Sequence, residues 1–184
     1  MPTQTTTSNA SGFEALKPKF LTALNKGSVV VQAPTGTGKS TRLPIWSLEA
    51  GRVLVVEPRR IVCRSLARYL ASRQGVGLGG EIGFATRFET RFDPDSQLIF
   101  VTPGIALRWY ADGKLSGYFT VILDEFHERR WDMDLLLALL QADARRVVLT
   151  SATFAGRELA EYVQGTSLTR SEERRVGKEC ATGC

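Results

Sequence analysis

The chain has 184 residues, of which 43% are hydrophobic and 23% charged, with one histidine, three cysteines and a net charge of +5. That length holds one α/β domain with a sizeable core, not two comfortable ones. The longest purely apolar run, Leu135 to Leu140, is far too short to span a membrane, and the Thr/Ser/Asn-rich start lacks the apolar stretch of a secretory signal. A pI near 9.4 suits a polyanionic partner without requiring one. Cys63, Cys180 and Cys184 have neither zinc nor disulfide spacing, which makes a reducing cytoplasm the expected compartment.

Taken in chain order, residues 1–12 read as a disordered lead-in. A helix is predicted over 13–26, with Leu16, Phe20 and Leu24 on one face, Gly27 as its stop and Pro18 in or breaking its first turns. A Val-rich strand over 28–32 feeds a glycine-rich loop, and a helix opens near Gly38. A second strand, 52–57, ends at Pro58 and is followed by an Arg-rich helix over 61–73. Strands are expected at 97–102 and 119–124, and then a helix over 132–142 with Leu135, Leu136, Leu139 and Leu140 as its buried stripe. A strand at 146–150 and a helix at 155–164 complete the series. Continuous apolar strands alternating with helices define an α/β fold, a mostly parallel sheet with helices on both faces. Residues 170–184 contain a run that matches the translation of a sequencing-library adapter and are set aside as an artefactual tail, with a natural continuation assumed; one domain is expected over 13–169.

Two segments carry the chemistry. Ala33-Pro34-Thr35-Gly36-Thr37-Gly38-Lys39-Ser40-Thr41 follows a strand and opens a helix, the context that a phosphate-binding loop needs. There Thr35 to Thr41 would surround the phosphates of a nucleotide such as ATP, Lys39 would reach the β/γ-phosphates, and Ser40 would offer its hydroxyl to Mg²⁺. The second segment is an apolar strand ending in Asp124-Glu125, with His127, the chain's one histidine, just beyond. Asp124 at the strand's carboxyl end is placed to hold Mg²⁺ through water, and Glu125 to orient and deprotonate an attacking water. Gly75 to Gly80 also satisfies the spacing of a dinucleotide fingerprint, but it follows a helix instead of a strand and reads as a connection. Trp109, Tyr110 and Trp131 could stack on bases, but as aromatics on helices they are expected to pack against the core.

Asp124-Glu125-Phe126-His127-Glu128-Arg129 resembles motif II of the DEAH-box superfamily 2 helicases, in the form found in the bacterial HrpB-like branch. Ala33 to Thr41 is similar to helicase motif I, Glu57-Pro58-Arg59-Arg60 to motif Ia, Val101 to Gly104 to motif Ib and Ser151-Ala152-Thr153 to motif III. Gly83 to Glu89 is similar to a further DEAH stretch containing Arg87 and Phe88. The resemblance implies a RecA-like P-loop NTPase domain, the first of two, that binds ATP and Mg²⁺. It assigns Arg59, Thr102 and Gly104 to single-stranded nucleic-acid backbone, RNA by family, with Arg60, Arg87 and Phe88 contacting or shaping the same groove. Asp124, Glu125, Lys39 and His127 become the catalytic set, and Ser151 and Thr153 couple nucleotide state to domain movement. From the residues alone, Arg59 and Arg60 read instead as a solvated helix start. A clamp that does not unwind, or a P-loop NTPase acting on another partner, stays open beside the helicase reading. The chain shows no second RecA-like unit and no arginine-finger stretch, so weak ATP binding and poor hydrolysis are expected of it alone.

Overall fold

The computed structural model describes residues 12–152 and 156–169. The expected tail, nearly all of the lead-in and Thr153 lie outside the described residues. A single helical turn at residues 12–14 precedes α1, Lys17–Lys26, so the long first helix is two pieces, and Pro18 sits in the first turn of the second. There its missing N–H costs nothing. The chain continues as β1 Val29–Gln32, α2 Lys39–Ser47, β2 Val53–Val56, α3 Arg60–Gln74, β3 Ile82–Ala85, β4 Thr90–Arg91, β5 Leu98–Val101 and α4 Pro103–Ala111. It closes with β6 Thr120–Leu123, α5 Trp131–Ala142, β7 Val147–Ser151, α6 Gly156–Tyr162 and β8 Thr166–Thr169.

The eight strands form one sheet in the order β4-β3-β5-β2-β6-β7-β1-β8. All neighbours are parallel except the two-residue edge strand β4, which runs antiparallel to β3. Parallel neighbours require crossovers, and these helices cover both faces. Alternate residues of each strand therefore meet different cores. Val29, Val31, Val53 and Val55 join Phe20, Leu43, Trp46 and Leu70 of α1 to α3. Val30, Leu54, Val56 and Leu123 join Ala106, Met133, Leu136 and Leu140 of α4 and α5. Burying each such aliphatic side chain stabilises by about 1.5–3 kcal/mol, so the two-sided pattern fixes the sheet's position between the layers.

Several expectations need correction. The buried stripe of α5 is Met133, Leu136, Leu137 and Leu140, whereas Leu135 is 45% exposed. Trp131 at the start of that helix is 74% exposed and does not enter the core. Trp109 packs on the core as expected, edge-on to Phe92 and stacked on Tyr118. The pattern also missed β3, β4, α4 and β8. Gly83 in β3 is fixed by contact, because a Cβ there would lie 2.4 Å from the Arg91 carbonyl oxygen of β4.

Candidate functional site

The carboxyl ends of the central strands carry the candidate residues in a row. At the tip of β1, Gly36 and Gly38 take φ of 77° and 92°, left-handed values that disfavour other residues. They turn the loop into α2, whose first turn has no side-chain cap. Uncapped amides at a helix start are donors ready for phosphate oxygens. Thr37 braces the loop by donating to the Pro34 carbonyl at 2.9 Å, and Thr41 donates to Gly38 at 3.1 Å. Lys39 is 3% exposed and its ammonium donates to the Ala33 and Pro34 carbonyls, the latter at 2.9 Å. Burial pushes its pKa down, and Glu125 and Asp124 push it back up. The lysine of the loop thus lies in the field of both motif II carboxylates.

Asp124 ends β6 fully buried, its N–H donating to Val56 of β2 at 2.9 Å. Its Oδ1 accepts the Thr150 hydroxyl from the tip of β7 and the Glu125 N–H at 3.1 Å. The same Glu125 N–H also reaches Thr150 Oγ1 at 3.0 Å. Oδ2 of Asp124 is buried with no hydrogen-bond partner. Glu125 adopts φ of 50°, which turns the chain sharply off the strand and into a short helical turn over Phe126–Glu128. A left-handed conformation at a non-glycine residue costs of the order of 1–3 kcal/mol, and such strain clusters at functional sites.

His127 Nδ1 accepts the Ala152 N–H at 3.4 Å and lies 3.4 Å from Glu125 Oε2. The ring nitrogen thus sits between the Ala152 amide and the Glu125 carboxylate. Ser151 is buried, and its carbonyl accepts the Ala33 N–H at 3.2 Å, tying β7 to the loop. Lys39, Asp124, Glu125, His127 and Ser151 therefore share one end of the sheet.

The residues assigned to nucleic acid continue along that end over β2, β5 and β3. Arg59 stands at the residue before α3 and its guanidinium pairs with Glu128. Thr102 opens α4, and Gly104 in its first turn faces open space. Phe88 is 75% exposed between two guanidiniums, Arg60 at 5.0 Å and Arg87 at 5.4 Å from its ring centre.

Four neighbours were not legible in advance. Thr150 bridges the two motif II residues. Glu57, 2% exposed at the tip of β2, accepts the Arg59 N–H at 3.1 Å; burial and then Asp124 push its pKa up to about 7. Tyr69 and Arg73 of α3 line a cavity of about 370 Å³ that opens beside Gly36, Gly38 and Thr41. Cys63 is a core thiol whose pKa burial pushes up to about 12, so it is no nucleophile.

A nucleotide-binding loop facing a carboxylate pair on the tips of a parallel sheet defines a P-loop NTPase domain. The chain belongs to the DEAD/DEAH box helicase family, whose model matches residues 17–162. It is 37% identical over 172 residues to the ATP-dependent RNA helicase HrpB of Escherichia coli (strain K12), covering 87% of this chain and 21% of that protein. Identity to the ATP-dependent RNA helicase HrpA of Borreliella burgdorferi is 33% over 159 residues, covering 80% and 19%. A crystal structure of the E. coli DEAH/RHA helicase HrpB superposes with a TM-score of 0.78 at 35% identity, covering 87% of this chain and 22% of that one. The sheet and its helices are accordingly the RecA-like arrangement. The chain spans about a fifth of the length of these relatives. Among the described residues, no helix is long and apolar enough to cross a membrane.

Proposed function

We propose that this domain binds Mg²⁺·ATP and forms the first half of the ATP-hydrolysing cleft of an ATP-dependent RNA helicase. The observation that carries this reading is the convergence at one end of the sheet of buried Lys39, on the loop tied to β7 through Ala33 and Ser151, with Asp124 and Glu125, tied to β7 through Thr150. Asp124 Oδ2, buried without a partner, is what a divalent cation would satisfy. Among the described residues no group of three His, Cys, Asp or Glu side chains could hold a metal alone. Asp124 and the Ser40 hydroxyl would therefore hold Mg²⁺ together with phosphate oxygens. The ion would neutralise phosphate charge during transfer.

The chain's own residues perform the rest. The first amides of α2 and Lys39 bind the phosphates, with Lys39 exchanging its loop carbonyls for phosphate oxygens. The cavity beside Tyr69 leaves room for the base. Glu125 orients a water and accepts its proton, while Thr150 holds the Glu125 amide and His127 fixes the turn. Ser151, with Thr153, would pass nucleotide state to a second RecA-like domain. Arginine fingers from such a domain are worth on the order of 10³–10⁵ in rate, so the isolated chain should turn over poorly. Arg59, Arg60, Arg87, Thr102 and Gly104 form the strand-binding row, suited to backbone contact without base reading. RNA is the favoured polynucleotide because the relatives are named RNA helicases.

The test is phosphate release by a protein that joins this domain to its second RecA-like partner, measured with and without single-stranded RNA. Stimulation by RNA, with ATP-dependent strand displacement, is the expected result. Hydrolysis indifferent to polynucleotide would refute the nucleic-acid half of the reading.

A further inference from the structure

The turn that carries Glu125 ends at Glu128, and Glu128 does not point at the nucleotide side. Its carboxylate crosses to β2's loop and pairs with the Arg59 guanidinium. The contact joins the strand-binding row to motif II, two sets that the chemistry above treats separately. Its setting is specific. The turn is bracketed by two non-glycine residues in left-handed conformation, Glu125 at φ 50° and Arg129 at φ 47°. The Glu128 N–H donates to the Glu125 carbonyl at 3.0 Å, so a movement of Glu128 bears directly on Glu125. The pair is also accessible: the Arg59 side chain is 64% exposed and that of Glu128 26% exposed. Glu128 is the largest influence holding the Arg59 pKa up, ahead of Glu57 and Glu125.

An ion pair so open to water contributes little to stability, because solvent screens it and two side chains must be held still. A phosphate offers the same guanidinium a two-pronged, charge-assisted contact. Arg59 cannot serve both fully, so the carboxylate and a polynucleotide compete for it. We propose that Glu128 is a positioning residue that holds Arg59 while no polynucleotide is bound and yields it to a phosphate, so that strand binding reaches the turn carrying Glu125. This rests on the assignment of Arg59 to nucleic-acid backbone. Freed from Arg59, Glu128 no longer ties the turn across the sheet end, and Glu125 can settle against its water. Linkage makes the effect reciprocal, with nucleotide binding altering RNA affinity by the same factor.

The experiment measures binding of fluorescein-labelled oligouridylate to this chain, its Glu128→Gln and Arg59→Ala variants and the double variant, by anisotropy. In the same samples, Mg²⁺·ATP affinity is measured with and without saturating RNA. Glu128→Gln should bind RNA about two- to fivefold more tightly, the range an exposed ion pair allows. That gain should vanish in the Arg59→Ala background, and RNA should change nucleotide affinity less in Glu128→Gln than in the wild type. If Arg59→Ala weakens RNA binding but Glu128→Gln leaves it unchanged or weaker, the competition is refuted while the strand-binding role of Arg59 stands. An equal gain in both backgrounds would show a general charge effect and also refute it. If Arg59→Ala binds RNA as the wild type does, the nucleic-acid assignment falls and the competition with it.

Discussion

Glu57 makes the stability of the domain depend on pH in a direction that can be worked out. The side chain is 2% exposed at the end of β2, beside Asp124 at the end of β6. Burial first, and then Asp124, pushes its pKa from the ordinary 4.5 to about 7, against the lowering effect of the Arg59 N–H. Between those values the folded carboxyl keeps a proton that the unfolded chain has released. The unfolded state then binds fewer protons, so stability falls as pH rises through that window and levels off above it. The gap between 4.5 and about 7 corresponds to on the order of 3 kcal/mol. Glu57→Gln removes the ionisable group and keeps a carbonyl oxygen for the Arg59 N–H. In urea unfolding followed by tryptophan fluorescence, the variant should match the wild type near pH 4.5. At pH 8 it should exceed it by up to on the order of 3 kcal/mol. Carboxylates remote from Glu57 contribute equally to both curves and drop out of the difference. Parallel stability–pH curves for the two would show that Glu57 binds its proton no more tightly folded than unfolded, and the reasoning would be wrong.

Three further expectations concern the nucleotide end of the sheet. Glu125→Gln in a protein carrying both RecA-like domains should bind ATP normally and lose most turnover in a phosphate-release assay, since the water has lost its base. Thr150→Val removes the donor to Asp124 Oδ1 and one of the two acceptors of the Glu125 N–H; losing this buried hydrogen bond to a carboxylate should cost about 1–3 kcal/mol in urea unfolding. Tyr69→Ala should weaken ATP binding and leave inorganic triphosphate binding unchanged in calorimetric titration, because the cavity it lines lies beside the loop and not within it.

The parts of the fold that could be read in advance are those where burial dictates composition. β1, β2, β5 and β6 are buried at every residue, and their apolar runs announced them to within a residue at each end. β8 could not be read this way: Thr166 to Thr169 is polar and mostly exposed, and it becomes a strand only because β1 offers its edge. β4 is two exposed residues paired to β3, a contact between segments whose pairing no local pattern marks. In α5 the run of leucines hid the helix phase, since almost any face of Leu135 to Leu140 is apolar. Only packing against the sheet selected Leu137 over Leu135.

The candidate site divides in the same way. Lys39, Asp124 and Glu125 are singled out by motifs whose residue types phosphate and metal chemistry favour, and His127 by the family resemblance; the structure places all four at one end of the sheet. Thr150 became visible only when β7 was placed beside β6, which sets it next to Asp124. Glu57 reads as the last residue of a strand and the first of motif Ia, but nothing in that pattern marks its carboxyl as buried beside Asp124. Tyr69 lies 30 residues beyond Lys39 in number and reaches the loop only through the packing of α3 against α2. Glu128 was quoted within a motif, yet its partner Arg59 lies 69 positions away.

The most direct test of the account is calorimetric titration of Mg²⁺·ATP into the chain and its Lys39→Ala variant. Charged hydrogen bonds of the kind Lys39 would make to phosphate contribute about 1.5–3 kcal/mol, so the variant should bind about 10- to 100-fold more weakly, and the wild-type binding should need magnesium. Equal affinity in the two proteins, or wild-type binding indifferent to magnesium, would contradict the shared phosphate and metal site.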